Sequence, residues 1–334
     1  MNIITGILTA VLLLILSSTA CNSPADPGSS PNPPGNIIAW FNGLGNNVDL
    51  YFPASDSLVQ GAYITGEVPN DILSPEQGLM VVLSSLDARI QVFETDSTGS
   101  EYFSVQLPSG SNPYLMSWDG EHLWVTLLLT SQVARVDLVP GGGVELFDLR
   151  GNPTSIASTG QRVFVGNASW PDPSVTGGIT VLDASTGDSL GSVQTPDNVI
   201  FLKYFESTGM VHAVTTTYTG DGLISILDPV SMEITAQVPT GGSPGQPVEC
   251  GGGFVAGGGW ASGSLYFYGE SGVLEDEWDT GHLSAAGVVC LGDTAYVTDP
   301  TKNVVFVADC EGRSLLDTLT AGASGPQGIT SVSP

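Results

Sequence analysis

The chain has 334 residues, 43 of them Gly and 22 Pro, with 41% hydrophobic but only 12% charged residues. That balance is rich in turn-formers and poor in helical mixtures, which favours an all-β class. A net charge of −27, from 34 acidic against 7 basic groups, repels phosphate backbones and anionic headgroups and so excludes nucleic acid as a partner.

In chain order, residues 3–16 (IITGILTAVLLLIL) form an apolar run too short to span a bilayer and of the length of a signal-peptide core. Ser18, Thr19 and Ala20 then lead into Cys21, a pattern that resembles the bacterial lipoprotein processing box and makes Cys21 the expected lipidation site. Ser18-x-Ala20 also fits simple cleavage, which would release the chain without an anchor. Export, to the cell envelope or beyond it, follows from either alternative. Residues 21–35 (CNSPADPGSSPNPPG) carry no apolar periodicity and read as a disordered Pro/Ser-rich tether behind a signal peptide of residues 1–20.

From residue 36 to 334 the chain reads as one repeat array. A unit of four short strands recurs, and its clearest marker is an aspartate closing the third strand. Asp137, Asp183 and Asp228 lie 46 and 45 residues apart, and Asp309 follows 81 later, two units on. Period-2 alternation of β-branched and aromatic residues supports each strand, as in LMVVLSS, RIQVFET and YFSVQLP of the second unit. Units open near residues 68, 111, 152, 198, 243 and 282. The first segment, residues 37–67, supplies only three strands (IIAWFN, VDLYFPA, QGAYIT). The tail supplies one extra, GPQGITSV, which echoes the openings Asn112-Pro113 and Asn152-Pro153. Pairing the tail into the first blade closes a seven-bladed β-propeller of four-stranded antiparallel blades and removes the exposed sheet edges.

The AYVTD segment (295–299), the following NVVFVAD, and the VLDASTGDSLGSV turn resemble the YVTN-type repeats of surface-layer and related seven-bladed propellers. The likeness implies the fold. It does not select a function, because propellers of this kind include binding proteins, lactonase-like enzymes and cofactor dehydrogenases.

In a propeller the D–A and B–C loops gather on one face around the axis. That face is expected to carry Asn112, Asn152, Asp197, Gln246, His282 and Gln327 from D–A loops, and Trp170, Asp172, Tyr218, Asp221, Trp260, Asp299 and Lys302 from B–C loops. Trp170, Tyr218 and Trp260 fall in consecutive blades, and aromatics beside Asn, Asp and Gln suit a glycan, a peptide or a partner protein. The leading expectation is therefore a non-catalytic binding or interaction module, monomeric and touching the membrane only through its anchor. The alternative is a hydrolase or lyase of lactone-like substrates using His282 and Asp299, because streptogramin-lyase-like and lactonase-like propellers use a His or carboxylates on that face. His122, His212 and His282 lack metal-ligand spacing, so neither a metal nor a cofactor is implied. The acidic Glu275–Asp279 strand reads as a charged edge, with Ca²⁺ as the minor alternative.

Lys203 stands in an inner strand where matching positions are small or apolar, and there it either lines the channel and attracts an anion or pairs with Glu206. With Cys21 assigned to the lipid, Cys250, Cys290 and Cys310 remain near the opposite face. A Cys250–Cys290 or Cys290–Cys310 disulfide is expected, or three buried thiols.

Overall fold

A computed structural model describes residues 35–96, 99–169, 177–216, 222–240, 245–258, 264–279, 287–322 and 325–333. Seven antiparallel sheets of four strands each arrange as a propeller. Blade 1 is built from the tail strand and the first three, in the order β28 (Pro326–Val332), β1 (Ile37–Asn42), β2 (Asn47–Phe52), β3 (Ser57–Ile64). Blade 2 follows as β4 (Pro69–Leu73) to β7 (Phe103–Gln106), and blade 3 as β8 (Pro113–Trp118) to β11 (Val144–Asp148). Blade 4 runs from β12 (Pro153–Ser158) to β15 (Ser189–Val193), and blade 5 from β16 (Asn198–Phe205) to β19 (Glu233–Pro239). Blade 6 comprises β20 (Pro247–Cys250) to β23 (Leu274–Asp279), and blade 7 β24 (Gly287–Leu291) to β27 (Ser314–Thr320). The innermost strands touch in one closed cycle, β28, β4, β8, β12, β16, β20, β24 and back to β28.

The period-2 pattern explains why the blades stack. Along β5 (Leu79–Ser84), Met80 and Val82 enter the apolar cluster shared with blade 1, while Val81 and Leu83 enter the cluster shared with blade 3. Seven such clusters lie one between each pair of neighbouring blades. Both faces of the second and third strands are therefore covered, and they read as continuous apolar runs such as LWVTL in β9 (Leu123–Leu127), buried throughout. Outer strands face solvent and alternate weakly, as in β23. Its Glu275 pairs with Arg313 of blade 7, so part of that acidic edge ties two blades together.

The repeated aspartates have a local cause. Asp183 Oδ1 accepts hydrogen bonds from the Ser185 and Thr186 N–H groups, Asp228 Oδ1 from Val230 and Ser231, and Asp309 Oδ1 from Glu311 and Gly312. A carboxylate at the first turn position thus satisfies two backbone donors that the sheet ladder leaves over. Four residues after each aspartate the backbone turns left-handed, at Gly187 (φ 74°), Met232 (φ 59°) and Arg313 (φ 49°). The hydroxyl and N–H donors hold the Asp183 carboxyl below its usual range, the Ser185 hydroxyl contributing most.

Ring closure is the expected one. β28 pairs antiparallel with β1 through Ile37–Val332, Ala39–Thr330 and Trp40–Ile329, with a bulge before Asn42–Pro326. Buried Asp49 of β2 reinforces the seam by accepting from the Gly61 N–H (2.7 Å) and from the Gly322 N–H of the final connection (3.0 Å). Beyond β28, the Gly78 N–H of blade 2 donates to the Ser333 carbonyl at 2.8 Å.

The cysteines differ from both expected pairings. Cys250 and Cys310 form the disulfide, with Cα atoms 6.0 Å apart, and Cys290 keeps its thiol. The bridge joins the end of the inner strand of blade 6 to the turn after β26 (Val304–Asp309) of blade 7. All three residues do lie on the face opposite the D–A and B–C loops. Spacing by one repeat suggested Cys250 with Cys290, but the third-strand turn of blade 7 brings Cys310 equally near.

Candidate functional site

The loop-face residues divide into two groups. Trp170, Asp172, Tyr218, Asp221, Trp260 and His282 lie outside the described residues. The others are described, and most of them hold the backbone. Buried Asn152 donates its Nδ2 to the Ala168 carbonyl at 2.8 Å, tying the D–A loop to the B–C loop of blade 4. Asn112 turns the chain at φ 50° ahead of Pro113, and its carbonyl accepts from the Leu128 N–H. The Asp197 carbonyl accepts from the Thr195 hydroxyl at 2.8 Å. Gln246 Nε2 reaches the Leu202 carbonyl of the next inner strand at 3.3 Å.

Asp299 behaves like the repeat aspartates. It is buried, and its Oδ1 accepts from the Thr301 N–H (2.8 Å), the Thr301 hydroxyl (2.6 Å) and the Lys302 N–H (2.9 Å). Four residues on, Asn303 is left-handed at φ 62°. The carboxylate proposed for catalysis is thus at least half engaged in shaping its own loop. Lys302 is exposed and lays its ammonium 5.5 Å from the Phe306 ring.

A second set of polar groups lies deeper, on the inner strands. Lys203 sits on β16, Asp71 on β4 and Tyr114 on β8, so blades 5, 2 and 3 contribute. Both Lys203 and Tyr114 are open to water yet strongly desolvated, the combination expected of side chains lining a narrow axial channel. Lys203 forms no hydrogen bond or ion pair with any described residue. Burial pulls its ammonium below the ordinary lysine value, opposed by Asp71, then Glu249 of β20, then Glu206.

Asp71 is the most perturbed carboxyl of the described residues. Its Oδ1 accepts from the Ile72 N–H at 2.9 Å and its Oδ2 from the Met116 N–H of blade 3 at 2.7 Å. Desolvation outweighs those bonds and the opposing pull of Lys203, and pushes its pKa up to about 7. Charge repulsion from Asp71 adds to the burial that raises the Tyr114 hydroxyl. The channel therefore contains a carboxyl that changes charge near neutrality, electrostatically coupled to an ammonium three blades away.

Sequence reasoning found Lys203 as the odd residue of its inner strand but passed over Asp71, whose strand (PNDIL) reads as an ordinary edge. Aligning the inner strands would have exposed it, since Asp71, Lys203 and Glu249 are all charged residues on strands that line the axis. The remaining histidines of the described residues are structural. His212 stacks 4.0 Å from Phe205 and meets Phe254 edge-on at 5.0 Å, and burial lowers its pKa to about 4. His122 precedes β9 and lies 3.5 Å from Asp137.

No protein-family model and no curated protein matches the chain. Solved structures do. The chain is similar to apo AztD from Citrobacter koseri, with a TM-score of 0.63 at 11% identity over 89% of this chain and 97% of that one. It is similar to a streptogramin B lyase, with a TM-score of 0.63 at 14% identity over 78% and 86%. It is also similar to the dihydro-heme d1 dehydrogenase NirN in complex with DHE, with a TM-score of 0.59 at 12% identity over 91% and 77%. At such identities the likeness concerns architecture alone, and what it establishes is an all-β, seven-bladed β-propeller closed by its C-terminal strand.

Proposed function

We propose that this protein is an exported, lipid-anchored binding module that holds a ligand on its axial loop face, with an anionic group of that ligand directed to Lys203 in the channel. The observation that carries the reading is an ammonium on an inner strand without a partner among the described residues, facing a carboxyl that titrates near neutrality. The apolar run 3–16, the small residues before Cys21 and the Pro/Ser-rich segment after it support export and anchoring. The surface is strongly acidic, but at physiological ionic strength charges beyond about 8 Å are screened, so a cation inside the channel acts on its ligand at close range.

Binding is favoured over catalysis because Asp299, the carboxylate an enzyme would pair with His282, already holds two backbone N–H groups through Oδ1. The same architecture serves a lyase and a DHE-bound dehydrogenase among its structural neighbours, so architecture does not choose between the two readings. The pH dependence carries a sign. Below about pH 7 Asp71 is neutral and only Glu249 and Glu206 act against the Lys203 charge, and above it the Asp71 carboxylate adds to them. A screen of anionic glycans and small acids, read by thermal shift at pH 6 and pH 8, tests this. A ligand that stabilises wild type more at pH 6, and no longer stabilises Lys203→Met, supports the reading. Hits indifferent to Lys203→Met would refute it.

A further inference from the structure

The face opposite the loops carries a second chemical group. The sulfur atoms of Cys250, Cys290 and Cys310 all lie within 4.8 Å of one another. They come from three positions that the fold holds independently: the end of β20, the penultimate residue of β24, and the turn after β26. We propose that this cluster is a reduction-gated site for a soft, closed-shell cation such as Zn²⁺, bound by three thiolates bridging blades 6 and 7.

Geometry supports it. A metal–thiolate bond of about 2.3 Å places the sulfurs of a three-thiolate site roughly 4 Å apart. Cys290 thus lies within about one ångström of the required spacing from both partners, and reduction frees the Cys250 and Cys310 sulfurs, which the disulfide holds at bonding distance, to move apart by side-chain rotation. The donor set is sulfur alone, which selects thiophilic cations over Ca²⁺ or Mg²⁺. An entry path exists, because a cleft of about 450 Å³ is lined by Cys250, Cys310, Tyr268, Glu270 and Arg313.

The gate is the Cys250–Cys310 bond. While it is closed only Cys290 has a free sulfur, and no site exists. An external dithiol opens it: the dithiol is oxidised to its own disulfide, the S–S bond takes up two electrons, and two protons go to Cys250 and Cys310. Cation binding then releases three protons as three metal–sulfur bonds form.

Cadmium titration of the Cys21→Ser chain, which leaves only these three of the 4 cysteines, reads the site directly. After reduction and anaerobic removal of the dithiol, one cadmium per chain with a thiolate-to-metal absorption band is expected, and none in the oxidised protein. Adding Cys290→Ser, which keeps the disulfide pair and so the oxidised fold, should weaken binding by the reduced protein at least tenfold. Three results would overturn the proposal: no band after reduction, wild-type affinity in Cys290→Ser, or loss of the β-sheet circular dichroism on reduction.

Discussion

Asp71→Asn isolates the channel carboxyl as a stability sensor. With a folded pKa of about 7 against an ordinary 3.8, the folded protein holds a proton on Asp71 that the unfolded chain has lost. Stability from this group is therefore fully present below about pH 4 and lost as pH rises through about 7, at roughly 1.4 kcal/mol per pH unit inside that window. Between about pH 5.5 and pH 8.5 the loss is on the order of 2 kcal/mol. For a domain of this size that moves the melting temperature by about 3 °C. The asparagine cannot titrate, and it keeps only one acceptor for the two N–H groups that Asp71 serves, so its stability at acid pH falls by about 1–2 kcal/mol. Thermal melts of both proteins across pH 5.5–8.5 should cross or converge, wild type falling relative to the variant as pH rises. Parallel curves would refute the assignment of a neutral carboxyl to the channel.

Other perturbations reach other parts of the argument. Lys203→Met removes a charge that favours ionised Asp71, so the same pH-dependent fall should move to higher pH in melts of that variant. Deleting residues 326–334 removes the inner strand of blade 1 and uncovers the fully buried Ile38 and Trp40, and size-exclusion chromatography should show aggregates in place of a sharp peak. Gly187→Ala should cost at least about 2 kcal/mol by denaturant titration, since its φ is 74° and a Cβ would stand 1.9 Å from the Phe147 ring of the next blade. Opening the disulfide by Cys310→Ala should cost about 4 kcal/mol, the chain-entropy value for a loop of 60 residues.

The blades were legible in the sequence because their determinants are local. Alternating residues such as Met80 and Val81 enter opposite blade interfaces by pleat alone, and Asp183, Asp228 and Asp309 each shape their own turn within four residues. The closing strand was legible for a different reason: one three-stranded segment and one spare strand admit a single pairing. The site was harder to read because the same residue types serve two purposes. Asn152 and Asp299 have the chemistry of ligand contacts and the positions of loop holders, and only their hydrogen bonds to Ala168 and Thr301 distinguish the roles. The charge of Asp71 is visible once the inner strands are aligned, but its environment is not, because its partner, the Met116 N–H, is 45 residues away on the neighbouring blade. The disulfide failed similarly, since three sulfurs brought to one place by the fold leave repeat spacing no power to choose among pairs.

These outcomes have one geometric origin. An inner strand is a sheet edge, so it tolerates what a central strand does not: five of the seven begin with proline, at Pro69, Pro113, Pro153, Pro247 and Pro326. The same edge has no packed neighbour on its axial side, and a charged residue there faces channel water and six other strands instead of a core. Its ionisation is set first by desolvation and then adjusted by what the opposite blades present, as Asp71 and Lys203 adjust each other's across the ring. Any change in blade number or tilt alters those distances before it alters a single blade's packing. It follows that a substitution loosening the β28–β1 seam should shift the Asp71 titration even though it touches neither Asp71 nor Lys203. Ile329→Ala, at a residue packed between blades 7 and 1, is the variant in which a changed midpoint of the pH-dependent melt should appear, and an unchanged midpoint in a destabilised but folded protein would break the link between closure and channel charge.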